Sequence, residues 1–256
     1  MKTPQELFLT TADKIKIAIN HYKIQSDKVV IIAPGWTMSK DSKFIRKIAN
    51  KFANFFDVIS MDFRGHGKSS GFYTFSSDET HDLTAVINYA KKIYNKIYLI
   101  GFSLGGAISI INSAINKNVD KLIAVSAPHS FAKIKHFMWL KDFLKNEFDK
   151  YESRILLTLR PHPFLKKKIR PIDVVGMLEV PTLFIAGDSD SIIHLTDTKS
   201  LYDKAKCQKH FEMFKNCNHA EDLIFQEKDK FVNICMDWFG NMQNDYLLNE
   251  ISTFQI

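Results

Sequence analysis

Residues 98–107 read YLIGFSLGGA. An apolar run ends at Gly101, Ser103 follows two residues later, and Gly105 and Gly106 come after it. Only 10 of the 256 residues are glycine, fewer than the roughly 7% that is usual. The pattern Gly-x-Ser-x-Gly between a strand-like run and a helix-like segment predicts a sharp turn that presents the serine hydroxyl. Taken alone, the motif leaves open a glycine-rich turn with an incidental serine.

Strand-like and helix-like patterns alternate along the rest of the chain. Strands are predicted at 6–11, 14–23, 28–35, 56–63, 96–101, 121–127, 181–187 and 209–215, and helices at 41–54, 78–94, 103–116, 196–206 and 220–240. Such alternation is typical of a mostly parallel sheet with helices on both faces. We therefore expect an α/β protein with an eight-stranded sheet, folded as one domain over residues 1–256.

One stretch interrupts this alternation. Residues 129–170 contain no strand-like run, follow helical spacing and are rich in aromatic and methionine side chains. An insertion after a central strand is expected to cover the carboxyl ends of the strands, where open α/β sheets bind their ligands. The sequence therefore predicts a helical cap at 129–170.

The bulk composition argues against several classes of protein. No apolar run approaches the roughly 18 residues of a membrane span, and the amino terminus lacks the apolar segment of a signal peptide. Three scattered cysteines do not form a disulfide framework. We expect a cytoplasmic monomer or homodimer that needs no metal or cofactor, since no close cluster of metal ligands occurs.

The net charge of +7 invites a nucleic-acid partner. However, residues 133–170 carry eleven Lys or Arg against four acidic residues, and the rest of the chain is balanced. No zinc-finger spacing or aromatic RNA-binding pattern accompanies this charge. We therefore interpret it as a solvated basic surface and expect no nucleic-acid partner.

Four motifs together resemble the α/β-hydrolase superfamily, most closely its esterase, monoacylglycerol-lipase and serine-aminopeptidase branch. They are residues 101–106 (GFSLGG), 62–69 (DFRGHGKS), 187–190 (GDSD) and 216–219 (NCNH). The resemblance covers roughly residues 5–240. It implies an α/β-hydrolase fold with a serine nucleophile, which is Ser103 here. It also implies that Arg64 and His66 tie their loop beneath the active site.

A serine hydroxyl needs a base to take its proton, and the base needs an acid to orient it. In these hydrolases the chain order is serine, acid, histidine. The family pattern Gly-x-x-Asp followed by an apolar pair selects Asp190 as the acid, with Asp188 as the alternative. His219 follows the last predicted strand in a short loop before the final helix, and it is the predicted base.

Ester cleavage also needs donors for the developing oxyanion, and rigid backbone N–H groups suit that role. One donor is expected from Leu104, the residue after the nucleophile. By resemblance the second is Trp36, after Gly35, with Thr37 as the alternative. Side chains expected to contact substrate are Trp36, Phe102, Met138 and Trp139, although Trp36 and the two cap residues could equally serve in packing.

These observations predict a serine hydrolase that cleaves a carboxylic ester of small to medium size through an acyl-enzyme. An aminopeptidase or an acyl-thioesterase could use the same three residues. A hydrolase-fold receptor or scaffold without turnover is the alternative of another class, and the presence of all three residues argues against it.

Overall fold

The computed structural model describes residues 2–131, 158–163 and 168–240. Within them eight strands occur, in chain order β1 (Gln5–Thr10), β2 (Lys16–Tyr22), β3 (Lys28–Ala33), β4 (Asp57–Met61), β5 (Lys96–Phe102), β6 (Lys121–Val125), β7 (Thr182–Gly187) and β8 (Lys209–Phe214). They form one sheet in the order β1-β2-β4-β3-β5-β6-β7-β8. Pairs β1–β2 and β2–β4 are antiparallel, and the other five are parallel. The predicted eight-stranded, mostly parallel sheet is confirmed.

The central strands are apolar along their whole length because both faces of the sheet are covered. Strand β3 reads KVVIIA, and every residue after its lysine is buried. Strand β1 lies at the edge and alternates between exposed and half-buried residues instead. This difference is the one that burial predicts for an inner and an outer strand.

Helices cover both faces of the sheet. They are α1 (Lys43–Phe52), α2 (Glu79–Lys91), α3 (Leu104–Asn116), α4 (Pro171–Val174), α5 (Leu195–Lys204), α6 (Glu221–Gln226) and α7 (Lys228–Phe239). A short 3-10 helix, Val175–Met177, follows α4. The apolar sides of α2, α3 and α5 pack in one core cluster. Those of α1, α6 and α7 pack in a second cluster on the opposite face.

One element differs from its prediction. The single closing helix expected at 220–240 consists of α6 and α7, which are separated at Glu227, where φ is −133° and ψ is 50°. The Gln226 side chain accepts a hydrogen bond from the Asn218 N–H at 3.1 Å. The last turn of α6 thereby contacts the loop that precedes it, a tertiary contact that helical periodicity does not record.

Most of the predicted cap at 129–170, including Met138 and Trp139, lies outside the described residues, and its helical character therefore stays a prediction. Among the described residues no helix is both long and apolar enough to cross a bilayer. Loops that follow the parallel strands meet at one edge of the sheet, and this edge holds the residues considered next.

Candidate active site

The turn between β5 and α3 has the sharp geometry that its glycines predict. Ser103 lies at φ 50° and ψ −114°, a left-handed conformation that L-residues seldom adopt. A Cβ at Gly101 would lie 2.4 Å from the Gly105 carbonyl oxygen, and one at Gly105 would lie 2.3 Å from the Ala33 oxygen. Because such distances are too short for any side chain, the two glycines permit the close approach of strand, turn and helix.

His219 and Asp190 form a buried pair. The Nδ1 atom of His219 is 2.7 Å from Asp190 Oδ2. The other Asp190 oxygen accepts hydrogen bonds from the N–H groups of Ile192 and Ile193, at 2.9 and 2.8 Å. These donors fix the orientation of the carboxylate. The carboxylate is therefore placed to hold the imidazole with a proton on Nδ1, which leaves Nε2 as a base.

Asp188 has different surroundings. Its Oδ1 atom accepts a hydrogen bond from the Asn216 N–H at 2.7 Å and lies 3.0 Å from the Ser189 hydroxyl. The side chain is exposed. Asp188 therefore braces the loop that leads to His219, and it is Asp190 that contacts the imidazole.

Hydrogen bonds connect the Ser103 turn to the His219 loop through the end of β6. The Ser103 N–H donates to the Val125 carbonyl at 2.8 Å. The next residue, Ser126, is fully buried at φ 46°, and its hydroxyl accepts from the Ala220 N–H at 3.1 Å. The end of β6 thus contacts both Ser103 and Ala220, the residue that follows His219. We did not predict a role for Ser126, since a lone serine after a strand carries no recognisable signal.

The loop after β3 lies beside the serine. A Cβ at Gly35 would be 3.6 Å from the Ser103 Cβ. The Met38 N–H donates to the Gly35 carbonyl at 3.2 Å, and Thr37 has a φ of 69°. Leu104, the first residue of α3, contributes its N–H at the positive end of the helix dipole. Trp36 and Leu104 thus directly follow the two residues, Gly35 and Ser103, at which these segments meet. Their role as oxyanion donors stays a prediction.

Trp36 is half-buried within an aromatic group. Its ring lies 6.3 Å from that of Tyr73 and 5.7 Å from that of Phe75, between centroids. The indole is therefore packed against these two rings, and its contact with substrate stays a prediction.

The structure places Phe102 differently from the prediction. It was expected to contact substrate because it precedes the serine, but its side chain has no exposed surface. The ring lies 5.1 Å from Phe44 and 6.2 Å from Phe231, in the core cluster beneath the sheet. Alternation along β5 directs residue 102 into the core, so this prediction is wrong. Met138 and Trp139 lie outside the described residues.

The 62–69 motif braces the loop after β3. Asp62 accepts hydrogen bonds from the backbone N–H groups of Lys40 at 2.6 Å and Lys68 at 2.9 Å. A Cβ at Gly67 would lie 2.3 Å from Asp62 Oδ2, and that contact explains the glycine. Burial raises the pKa of Asp62 to about 6, against the opposing effect of these hydrogen bonds.

Arg64 and His66 are buried in the same loop. Arg64 hydrogen-bonds Asp82 at 2.7 Å and Asp13 at 2.7 Å. Burial alone would lower the pKa of Arg64, but these carboxylates outweigh it and raise that pKa. Burial lowers the pKa of His66 to about 4. Both side chains are fixed within the loop, as the resemblance implies.

Comparison with known proteins agrees with this fold. A family model described as the alpha/beta hydrolase fold matches residues 28–148. The chain is 26% identical to the protein bem46 of Schizosaccharomyces pombe, over 74% of this chain and 58% of that protein. It is 28% identical to the AB hydrolase superfamily protein YisY of Bacillus subtilis, over 73% of this chain and 82% of YisY. The chain thus spans about three fifths of the length of bem46.

Among solved structures, an esterase of Pyrococcus furiosus superposes with a TM-score of 0.76 at 22% identity, covering 94% of this chain and 91% of the esterase. The chain is therefore a protein of the α/β-hydrolase fold. The fold that its motifs predict is confirmed.

Proposed function

We propose that the protein is a serine hydrolase that cleaves carboxylic esters of small to medium size, with Ser103 as nucleophile, His219 as base and Asp190 as orienting acid. The observation that carries this proposal is the buried 2.7 Å contact between His219 Nδ1 and Asp190 Oδ2 at the sheet edge where Ser103 lies. The strained serine and its two close-packed glycines support it. The structural similarity to an esterase of Pyrococcus furiosus agrees with it.

In the proposed reaction, His219 Nε2 removes the proton from Ser103 Oγ as this oxygen attacks the ester carbonyl. Asp190 stabilises the imidazolium that forms. The N–H groups of Leu104 and Trp36 donate to the oxyanion of the tetrahedral intermediate. His219 then protonates the leaving alcohol, and an acyl-enzyme remains. Water, deprotonated by the same histidine, attacks the acyl carbon. The bond between this carbon and Ser103 Oγ breaks, His219 returns the proton to Oγ, and the acid leaves.

We further propose a cytoplasmic location and a monomeric or homodimeric state. The three cysteines, Cys207, Cys217 and Cys235, are unpaired in the structure. Unpaired thiols are compatible with the reducing conditions of the cytoplasm.

Turnover of matched substrates tests the reaction class. We would measure kcat/KM for three substrates: p-nitrophenyl butyrate, a butyryl thioester and an aminoacyl p-nitroanilide. The proteins compared are the wild type, His219→Gln, and His210→Gln, which changes an exposed histidine. We expect the highest kcat/KM for the oxygen ester, its loss in His219→Gln, and wild-type rates in His210→Gln. A higher kcat/KM for the anilide or thioester would favour the aminopeptidase or thioesterase alternative. No turnover by folded wild-type protein would favour the non-catalytic one.

A further inference from the structure

A groove of about 860 Å³ runs along the exposed side of α1. Among the described residues, every side chain that lines it is a cation or a primary amide, and none is a carboxylate: Lys2, Lys43, Arg46, Lys47, Asn50, Lys51, Asn54 and Lys228. Lys2 is fixed there because its backbone N–H donates to Asn50 Oδ1 at 2.9 Å. Cations from the amino-terminal arm, α1 and α7 thus surround one concave site.

No ion pair with a described residue neutralises these cations. None of the salt bridges between described residues includes any of the six cations. The pairs Lys43–Lys47 and Lys47–Lys51 are four residues apart on α1, a spacing at which like charges destabilise a helix. The first turn of α1 contains no acidic residue, and Lys43 begins the helix at the positive end of its dipole. A bound anion would relieve each of these repulsions.

The shape and chemistry of the groove indicate the kind of anion. Its volume falls within the range of small-molecule sites, whereas a flat surface would suit a bilayer better. Among the described residues, no aromatic or aliphatic side chain lines it to hold a base or an acyl chain. Arg46 offers a planar fork for phosphate oxygens, and the lysines offer point charges.

We propose that this groove is a binding site for a small soluble ligand with clustered phosphate groups, recognised through the phosphates alone. The groove lies on the outer side of α1, whereas Ser103 and His219 lie at the carboxyl edge of the sheet. The proposal therefore does not depend on the proposed hydrolase function.

Binding of sodium tripolyphosphate to the full chain, measured by calorimetry, tests the proposal. We expect Arg46→Gln/Lys47→Gln to weaken binding by at least about tenfold, because two of the six charges are lost. Lys91→Gln/Lys92→Gln changes the net charge equally at two exposed lysines at the end of α2 and should bind as the wild type does. ATP should bind about as well as tripolyphosphate, since the groove has no surface for a base. Hydrolysis of p-nitrophenyl butyrate should be the same in all three proteins.

Three results would overturn the proposal. The first is no tripolyphosphate binding by folded wild-type protein at about 50 mM salt, where phosphate contacts are strong. The second is equal weakening in both double variants, which would mean a general effect of net charge. The third is a clear preference for short single-stranded DNA or for phosphatidylinositol bisphosphate in phosphatidylcholine vesicles, which would assign the groove to a macromolecule or a membrane.

Discussion

At the scale of single residues, two aspartates only two positions apart occupy different surroundings. Asp190 is buried against His219 and two backbone donors, whereas Asp188 is exposed and braces the loop at Asn216. The sequence pattern favoured Asp190 but left both open, because each follows β7 by a few residues. Only the direction of the side chains separates them, and that direction depends on the loop after β8.

Asp190→Asn should therefore lower kcat far more than Asp188→Asn. An amide at residue 190 would present N–H groups to His219 Nδ1 and favour the wrong tautomer, with a loss on the order of 10⁴-fold. An amide at residue 188 keeps an oxygen for the Asn216 N–H, and we expect less than about a tenfold loss. Steady-state rates on p-nitrophenyl butyrate measure both. The opposite ranking would show that Asp188 is the orienting acid.

The buried His66 should make stability depend on pH. Its pKa in the folded protein is about 4, below the ordinary value of 6.5, because burial penalises the charged form. Below pH 6.5 the unfolded chain takes up a proton that the folded chain refuses, so stability falls as the pH drops from 6.5 toward about 4. The loss amounts to about 3 kcal/mol for one histidine.

Urea unfolding at several pH values tests this expectation. The free energy of unfolding of His66→Asn should decrease less between pH 7 and pH 5 than that of the wild type, whatever its absolute value. His210→Asn, at an exposed histidine, should keep the wild-type slope. An equal dependence of the unfolding free energy on pH in the wild type and His66→Asn would contradict the low pKa of His66 in the folded protein.

At the scale of elements, β5 and α3 can cross beneath the loop after β3 only because a glycine, which has no side chain, lies at the crossing. A Cβ at Gly105 would lie 2.3 Å from the Ala33 oxygen and 2.4 Å from the Pro34 oxygen. Both contacts are with backbone atoms, which cannot move aside by changing rotamer. Any substitution there must displace α3 or the loop that carries Trp36.

Gly105→Ala should accordingly reduce stability by about 1–3 kcal/mol and slow hydrolysis of p-nitrophenyl butyrate, because α3 or the loop that carries Trp36 is displaced. Gly176→Ala is the matched control, since its Cβ would lie 3.7 Å from the nearest atom, the Lys204 oxygen. There we expect a change of less than about 1 kcal/mol. Thermal unfolding compares the two variants, and equal effects would argue against the close approach.

The elements themselves were predictable, and several of their contacts were not. Continuous apolar runs such as β3 are long enough to identify buried strands without a structure. The break at Glu227 was missed because it accompanies the bond between Gln226 and Asn218. Phe102 was misplaced because a motif gives the order of residues and not the direction of each side chain. Ser126 carries no signal in sequence, and its contact with Ala220 exists only when β6 and α6 meet.

At the scale of the whole molecule, the distribution of charge differs between sequence and space. Outside residues 133–170 the charges of the sequence balance, so a count along the chain does not point to a charged site there. In the structure, the cations of α1 lie together while the acids near them in sequence face elsewhere. Asp41, for example, bonds Lys40 and Asn20. The groove along α1 is therefore a feature of the fold that charge counts along the chain conceal.

The catalytic role of Ser103 is the central claim, and covalent labelling tests it most directly. A fluorophosphonate probe should add one phosphonyl group to the wild type, located by peptide mass spectrometry at Ser103. Ser103→Ala should not be labelled and should lose on the order of 10⁶-fold in kcat, whereas Ser200→Ala, at an exposed serine of α5, should match the wild type. Labelling that persists in Ser103→Ala, or an adduct on another serine, would contradict the claim.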